Sequence, residues 1–371
     1  IGRNQDRFFM RKLASIKQIR KIEPIEGKDR IVLAHIDGWQ AIVKKDEFQV
    51  GNLVIFCEPD SVLPQKPEFE FLAKTNYRIK TMKMGGVLSQ GLILPTTLLP
   101  KNIYYQLDED VTNALGITQY EKTMDKEQST TQLKHKYPKW LMRWKWFRNL
   151  VVPNLYEDFP SFLTKTDETR IQNIPEILNS DTIWTITEKV DGTSGTFALR
   201  KVKKWYGIKY EFYVCSRNRR ILKDDGSIYW EVAKKYKLEE TLHDLLDFSE
   251  YVDCEWICIQ GECISPKIQG NKYKVVDTQF YAFNLISDKH GREGSYCAQS
   301  YLNYFGEIPF VPIIPWMKGL NDFEVKDLLE KSNGKSMINP NVMREGFVIR
   351  SADGRKSFKV VSPEFLIKHD E

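Results

Sequence analysis

The stretch 183-IWTITEKVDGTSGTFALR-200 places one lysine, Lys189, between Glu188 and Asp191, with Gly192 behind them and β-formers on both sides. A lysine is an ammonium ion at neutral pH and becomes a nucleophile only as the neutral amine. Nearby carboxylates hold its proton on, whereas nearby cations and burial take it off. The arrangement makes chemical sense if a divalent metal occupies the carboxylates and reverses the sign of the local charge. That is a setting for metal-assisted attack on an electrophile such as a nucleotide phosphate. Alone, K-x-D-G is short, and a turn with a solvated lysine explains it better.

Further residues of the same kind follow in order. In 214-VCSRNRRI-221, Arg217 comes just after a strand-like run, where its guanidinium can fork onto a phosphate. Glu262 ends an apolar run in 257-ICIQGECISPKIQGNKY-273. Phe283 lies in the aromatic run 280-FYAFNLIS-287, Glu345 opens 344-REGFVIRS-351, and Lys359 lies inside 356-KSFKVVS-362. Each fragment has an ordinary explanation: a solvated glutamate at a strand end, a core aromatic, a surface lysine.

These residues need a scaffold, and the chain divides into three parts. The first part is residues 1–118, β-rich from residue 10 onward. Arg30–Ile36 runs to a turn at Asp37-Gly38 and continues as Trp39–Val43, LVIFCEP follows Gly51-Asn52, and RIKTMKMGGVLSQGLILP holds two runs joined through Gly85-Gly86. Short strands and glycine turns suggest a small barrel, with the OB-fold foremost. Residues 119–150 read as a polar linker followed by 140-WLMRWKWFRNL-150, either a stacking and phosphate-contact surface or an amphipathic helix. Residues 151–371 are mixed. A capped helix is expected over KTDETRIQNIPEIL, with Thr166 or Asp167 as N-cap. Strands are expected at 182–188, 194–202, 208–215, 254–262, 273–286, 346–350 and 356–361. A further helix is expected from Tyr229 to about Leu246, broken at Lys237-Leu238. The fold class is α+β.

Composition sets outer bounds. The 371 residues suffice for two cores, and no apolar run is long enough to cross a membrane. The N-terminal 22 residues lack the apolar region of a secretory signal; their basic residues suit a surface strand, with an organelle transit peptide as the alternative. The 55 basic against 50 acidic residues leave a net charge of +5, compatible with a polyanion partner. None of the six cysteines forms a C-x-x-C pair, and several lie in apolar runs, which points to a reducing, intracellular compartment, cytoplasmic or nuclear.

Taken together, TEKVDGTS, CSRN, QGECISPKIQGNKY, EGFVIR and SFKVVS resemble, in order and spacing, the motifs of the covalent nucleotidyltransferases: DNA ligases, RNA ligases and capping enzymes. RIKTMKMGGVLSQGLILP and KTDETRIQN extend the resemblance to the RNA ligases with an N-terminal OB domain, exemplified by the Deinococcus and Naegleria enzymes. The resemblance implies ATP-dependent joining of RNA ends through a lysyl-AMP on Lys189, at nicks in duplex RNA or an RNA/DNA hybrid, by a monomer. It implies Asp191, Glu262 and Glu345 around Mg²⁺ or Mn²⁺, Lys359 on the α-phosphate and Phe283 stacked on adenine. Glu188 would line the adenine or ribose pocket, Arg217 would hold a phosphate or ribose, and Arg170 would reach the outer phosphates. Arg78, Lys80 and Lys83 of the barrel would contact nucleic acid. Ser194 stands where many DNA ligases and capping enzymes have arginine, and Ser357 stands where other RNA ligases have the first lysine of K-x-K. The alternatives are a capping-type guanylyltransferase and an inactive nucleotidyltransferase fold that binds nucleic acid. Ser194 and the N-terminal place of the barrel oppose the first, and the intact Lys189, Asp191, Glu262, Glu345 and Lys359 set opposes the second.

Overall fold

The computed structural model describes residues 12–100, 104–120, 144, 155–315 and 319–369. Of the aromatic and basic run at 140–150, only Trp144 falls within them, and it is exposed. The N-terminal strands are β1 (Ala14–Gln18), β2 (Lys21–Ile25), β3 (Lys28–Ile36), β4 (Trp39–Lys44), β5 (Leu53–Cys57), β6 (Ser61–Val62), β7 (Met82–Met84), β8 (Val87–Ser89), β9 (Leu92–Pro95) and β10 (Thr118–Gln119). They form two antiparallel triplets, β1-β5-β9 and β2-β3-β4, with the small pairs β6-β10 and β7-β8. Gln40 of β4 bridges the triplets, accepting from Gln90 N at 2.8 Å just ahead of β9. The turn between β3 and β4 is at Asp37-Gly38, with Asp37 at positive φ. Alternating side chains fill two cores, one around Ile16, Ile55 and Leu94, the other around Ile36, Trp39 and Phe56. This is the OB-fold barrel expected from the turn spacing.

The second body holds β11 (Tyr156–Asp158), β12 (Trp184–Lys189), β13 (Thr193–Lys204), β14 (Gly207–Cys215), β15 (Arg219–Ile221), β16 (Trp256–Ile264), β17 (Gln279–Ser287), β18 (Gly291–Arg292), β19 (Ile313–Ile314), β20 (Gly346–Ser351) and β21 (Ser357–Val361). A seven-stranded sheet runs β11-β15-β14-β13-β16-β17-β18, and a four-stranded one runs β19-β12-β20-β21. The helices Ile228–Lys235, Leu238–Asp247 and Ser295–Gly306 supply Val232, Leu242, Leu245 and Leu302 to the core of the large sheet. The break between the first two falls at Lys237, which is left-handed at φ 47°. No helix among the described residues is long and apolar enough to cross a membrane.

Two expected elements differ. The helix over KTDETRIQNIPEIL is instead an extended run that ends in two 3-10 turns, Ile171–Asn173 and Pro175–Asn179. Proline at 175 disfavours helix at the residue before it, and Ile174 stays outside the helical region. Its backbone partners are also remote: Thr169 O accepts from Lys359 N at 2.8 Å, and Gln172 O accepts from Gly38 N at 3.0 Å. The strand expected from residue 273 begins at Gln279. Asn271 closes a turn ahead of it, its side chain accepting from Val275 N and donating to Val275 O, both at 2.9 Å.

The run 166–173 ties the two bodies together. Trp39 Nε1 donates to Asn173 Oδ1 at 2.6 Å, and Asn173 Nδ2 donates to Glu58 Oε1 at 2.6 Å. Gly38 fits only as glycine, because an added Cβ would lie 2.6 Å from Gln172 Cα.

Candidate active site

Lys189 ends β12, and the antiparallel register sets it opposite Gly346 of β20. That pairing carries Glu345, one residue ahead of β20, onto the lysine, and Lys189 Nζ donates to Glu345 Oε2 at 2.6 Å. Gly346 permits the close approach: its φ is +150°, and an added Cβ would lie 2.1 Å from Val360 O. Burial pulls the Lys189 pKa down, but Glu345, Glu262 and Asp191 outweigh it and hold the pKa above the ordinary value. The amine is therefore an ammonium ion against these carboxylates.

Glu262 comes from β16, where it pairs with Ser194 of β13. Burial pushes its carboxyl up to about 8; Glu345 and Asp191 push the same way, and Lys189 opposes them. Asp191 lies in the link from β12 to β13. Its backbone N donates to Tyr273 Oη at 3.1 Å, and its carboxylate pairs with Lys272 Nζ at 2.6 Å. Glu188 does not flank the amine as its sequence position suggests. It occupies the opposite face of the strand, because side chains alternate, and accepts from Met337 N at 2.7 Å. Glu345 takes the place beside Lys189 that the sequence assigned to Glu188.

Asp191, Glu262 and Glu345 offer only oxygen, which suits a hard dication such as Mg²⁺ or Mn²⁺. Burial is the main cause of the raised Glu262 pKa; Glu345 and Asp191 add to it, and a cation would relieve that added part. The three do not form a tight cage. Among the described residues, the trio whose ligand atoms all lie within 4.8 Å of one another is Glu250, His290 and Glu293, mostly exposed. The acidic set around Lys189 therefore fits an ion held partly through its waters.

Lys359 and Arg217 meet at a residue that the sequence offered only as a helix cap. Lys359 Nζ donates to Asp167 Oδ1 at 2.8 Å, and Arg217 Nη2 lies 3.6 Å from Asp167 Oδ2. Phe283 is half-buried on β17 and faces the small sheet, where the Arg350 guanidinium lies 5.7 Å from its ring centroid. Arg350 is buried, its pKa lowered to about 10 by that burial, and it reaches Glu168 Oε1 at 3.4 Å. Thus Asp191, Glu262 and Glu345 act on Lys189, Arg217 acts on Glu262, and Lys359 shares Asp167 with Arg217, while Phe283 connects to this set through Arg350 and Glu168.

Arg170 departs from its expected place at the outer phosphates. It is 5% exposed and turned to the barrel, with Nη2 3.3 Å from Asp60 Oδ2. Arg78 is likewise buried, on Asp60 at 2.7 Å and over the Tyr120 ring, rather than displayed for nucleic acid. Both are drawn inward by the same carboxylate. Lys83 is exposed and Lys80 half-buried. Ser194 accepts from Thr166 Oγ1 at 2.9 Å. Ser357 donates to Glu168 and accepts from Arg292 Nη1 at 2.7 Å, so a guanidinium reaches the position that K-x-K enzymes give to lysine.

Residues 182–361 match the RNA ligase family model, and residues 13–96 match an OB-fold domain model. The structure is similar to Naegleria gruberi RNA ligase with PPi, at a TM-score of 0.79 and 30% identity, covering 97% of this chain and 99% of that one. The chain belongs to the RNA ligase family. The ligase is also similar to a lysine variant of the Naegleria gruberi enzyme with AMP and Mn, at a TM-score of 0.79 and 30% identity, covering 97% and 99% of the two chains. A second variant, with ATP and Mn, gives 0.78 and 29%, covering 97% and 98%. No curated protein sequence matches the ligase.

Sequence reasoning missed Lys272, Glu168, Arg350 and the role of Asp167 as a counter-ion. QGNKY and EGFVIR contain two of them, so a basic residue within a motif was the available signal. Their partners lie far along the chain, and nothing local pointed to the pairing.

Proposed function

We propose that the ligase consumes ATP and joins 3′-OH to 5′-phosphate RNA ends at nicks in duplex RNA or an RNA/DNA hybrid. The observation that carries this reading is Lys189 Nζ held 2.6 Å from Glu345, with Asp191 and Glu262 acting on the same amine. Lys189 attacks the α-phosphorus: an N–P bond forms, the bond to pyrophosphate breaks, and AMP stays on the lysine. AMP then passes to the 5′-phosphate, and the 3′-OH displaces it to close the phosphodiester. Before the first step, Lys189 must give up the proton that Glu345 Oε2 now holds in place. Asp191, Glu262 and Glu345 would hold Mg²⁺ or Mn²⁺, which would supply positive charge that favours the neutral amine and offsets phosphate repulsion.

The remaining groups act on the nucleotide. Lys359 neutralises charge as pyrophosphate leaves, Arg217 holds a phosphate or ribose, and Phe283 stacks on adenine beside Arg350. Glu188 lines the pocket from behind its strand. Residues 1–118 grip nucleic acid, with Lys80 and Lys83 as contacts, residues 119–150 link, and residues 151–371 carry out the transfer, in a monomer. Six free thiols suit an intracellular site, cytoplasmic or nuclear.

The test is incubation with ATP and Mn²⁺ or Mg²⁺, followed by intact mass. The wild type should gain AMP and Lys189→Ala should not. GTP labelled at the α-phosphate in place of ATP should leave no label, and a GMP adduct would favour the capping reaction.

A further inference from the structure

Four of the charged groups around the site are met by an opposite charge from the protein itself. Lys189 pairs with Glu345, Asp191 with Lys272, and Lys359 and Arg217 with Asp167. The last contact differs, because one carboxylate spans two cations from different sheets, as a phosphate does. The backbone on both sides of Asp167 is fixed. Thr166 bonds Ser194, Glu168 takes Arg350, Arg292 and Ser357, and Thr169 O takes Lys359 N. Its carboxylate is thereby presented to the slot with only side-chain torsions to carry it away.

We propose that Asp167 is the built-in counter-anion of the phosphate slot, displaced when nucleotide binds. In the nucleotide-free ligase it holds Lys359 and Arg217 on the two oxygens of one carboxylate. A polyphosphate brings more charge than one carboxylate and takes over both contacts, while the Asp167 side chain turns towards solvent, to which it is already 36% exposed. The inference rests on the ATP reading above and adds a residue that sets polyphosphate affinity.

The test is calorimetric titration of the nucleotide-free protein with inorganic pyrophosphate and with ATP. Asp167→Asn keeps the shape and removes the competing charge. Both ligands should bind about three- to tenfold tighter, the range expected for relieving partly exposed ion pairs. The gain should shrink when Arg217→Gln is added, because one of the two released cations is then missing. Unchanged or weaker pyrophosphate binding in Asp167→Asn, with wild-type binding intact, overturns the proposal and leaves the ligase reading standing. A wild type that binds neither ligand overturns both.

Discussion

Lys189 and Glu345 are 156 residues apart in sequence, and their side chains meet at 2.6 Å. The β12–β20 register makes the contact, so the proposed nucleophile and its counter-ion are set by strand pairing rather than by a flexible loop. Glu345→Gln keeps the shape and removes the charge. We expect it to fold normally, with unchanged circular dichroism, and to lose about 10²-fold or more in the rate of AMP-adduct formation, the scale for one electrostatic contact at a reacting centre. Lys189→Arg should form no adduct, because guanidinium stays protonated. Near-normal turnover in Glu345→Gln would remove it from the reaction.

Glu262 gives a pH signature. Its folded pKa of about 8 is above its ordinary value of 4.5. Between these values the folded protein holds a proton that the unfolded chain has lost, so this group makes stability fall as pH rises through that window. Without divalent ions, the melting temperature should decline from pH 5 to pH 8 more steeply in the wild type than in Glu262→Gln. Added Mn²⁺ should flatten the wild-type slope, and cation binding near pH 7 should release a proton measurable in buffers of different ionisation enthalpy. Identical slopes in the two proteins would remove Glu262 from the cation site.

Legibility in the sequence followed the range of the interaction. Asp37-Gly38 between alternating runs announced its hairpin, and Lys237-Leu238 announced the helix break, because turns and amphipathic periods are local. The segment KTDETRIQNIPEIL misled because its N-cap residues and early acidic residue suit a helix start, whereas its backbone partners, Lys359 and Gly38, come from other parts of the chain. Asp167 looked like an N-cap for the same reason; its partner Lys359 is 192 residues away. Arg170 and Arg78 looked like surface cations, and their shared partner Asp60, at the junction of the two bodies, is remote from both in sequence.

The buried Arg350 guanidinium lies 5.7 Å from the Phe283 ring centroid. A planar base entering there would meet an aromatic face on one side. Phe283→Leu keeps much of the apolar area and removes the ring. The KM for ATP should rise about two- to tenfold, the worth of one aromatic stacking contact, while the rate at saturating ATP changes less. A change in kcat alone would place the ring elsewhere in the cycle.

Gly38 and Gln172 join the barrel to the segment that also holds Lys359, since Gln172 O accepts from Gly38 N and Thr169 O accepts from Lys359 N. Gly38→Ala drives a methyl to 2.6 Å from Gln172 Cα, so the backbone must move and the adjacent Trp39–Asn173 bond loosens. Overpacking of this kind costs about 1–3 kcal/mol, and the melting temperature should drop accordingly. The displaced segment should also disturb Lys359, so that adenylylation slows even at temperatures where the variant is fully folded. Asn173→Ala removes the side-chain link without adding bulk and should show the same pairing of effects, more weakly. If either variant lost stability yet adenylylated at the wild-type rate when folded, the barrel would be a passive neighbour of the transfer site.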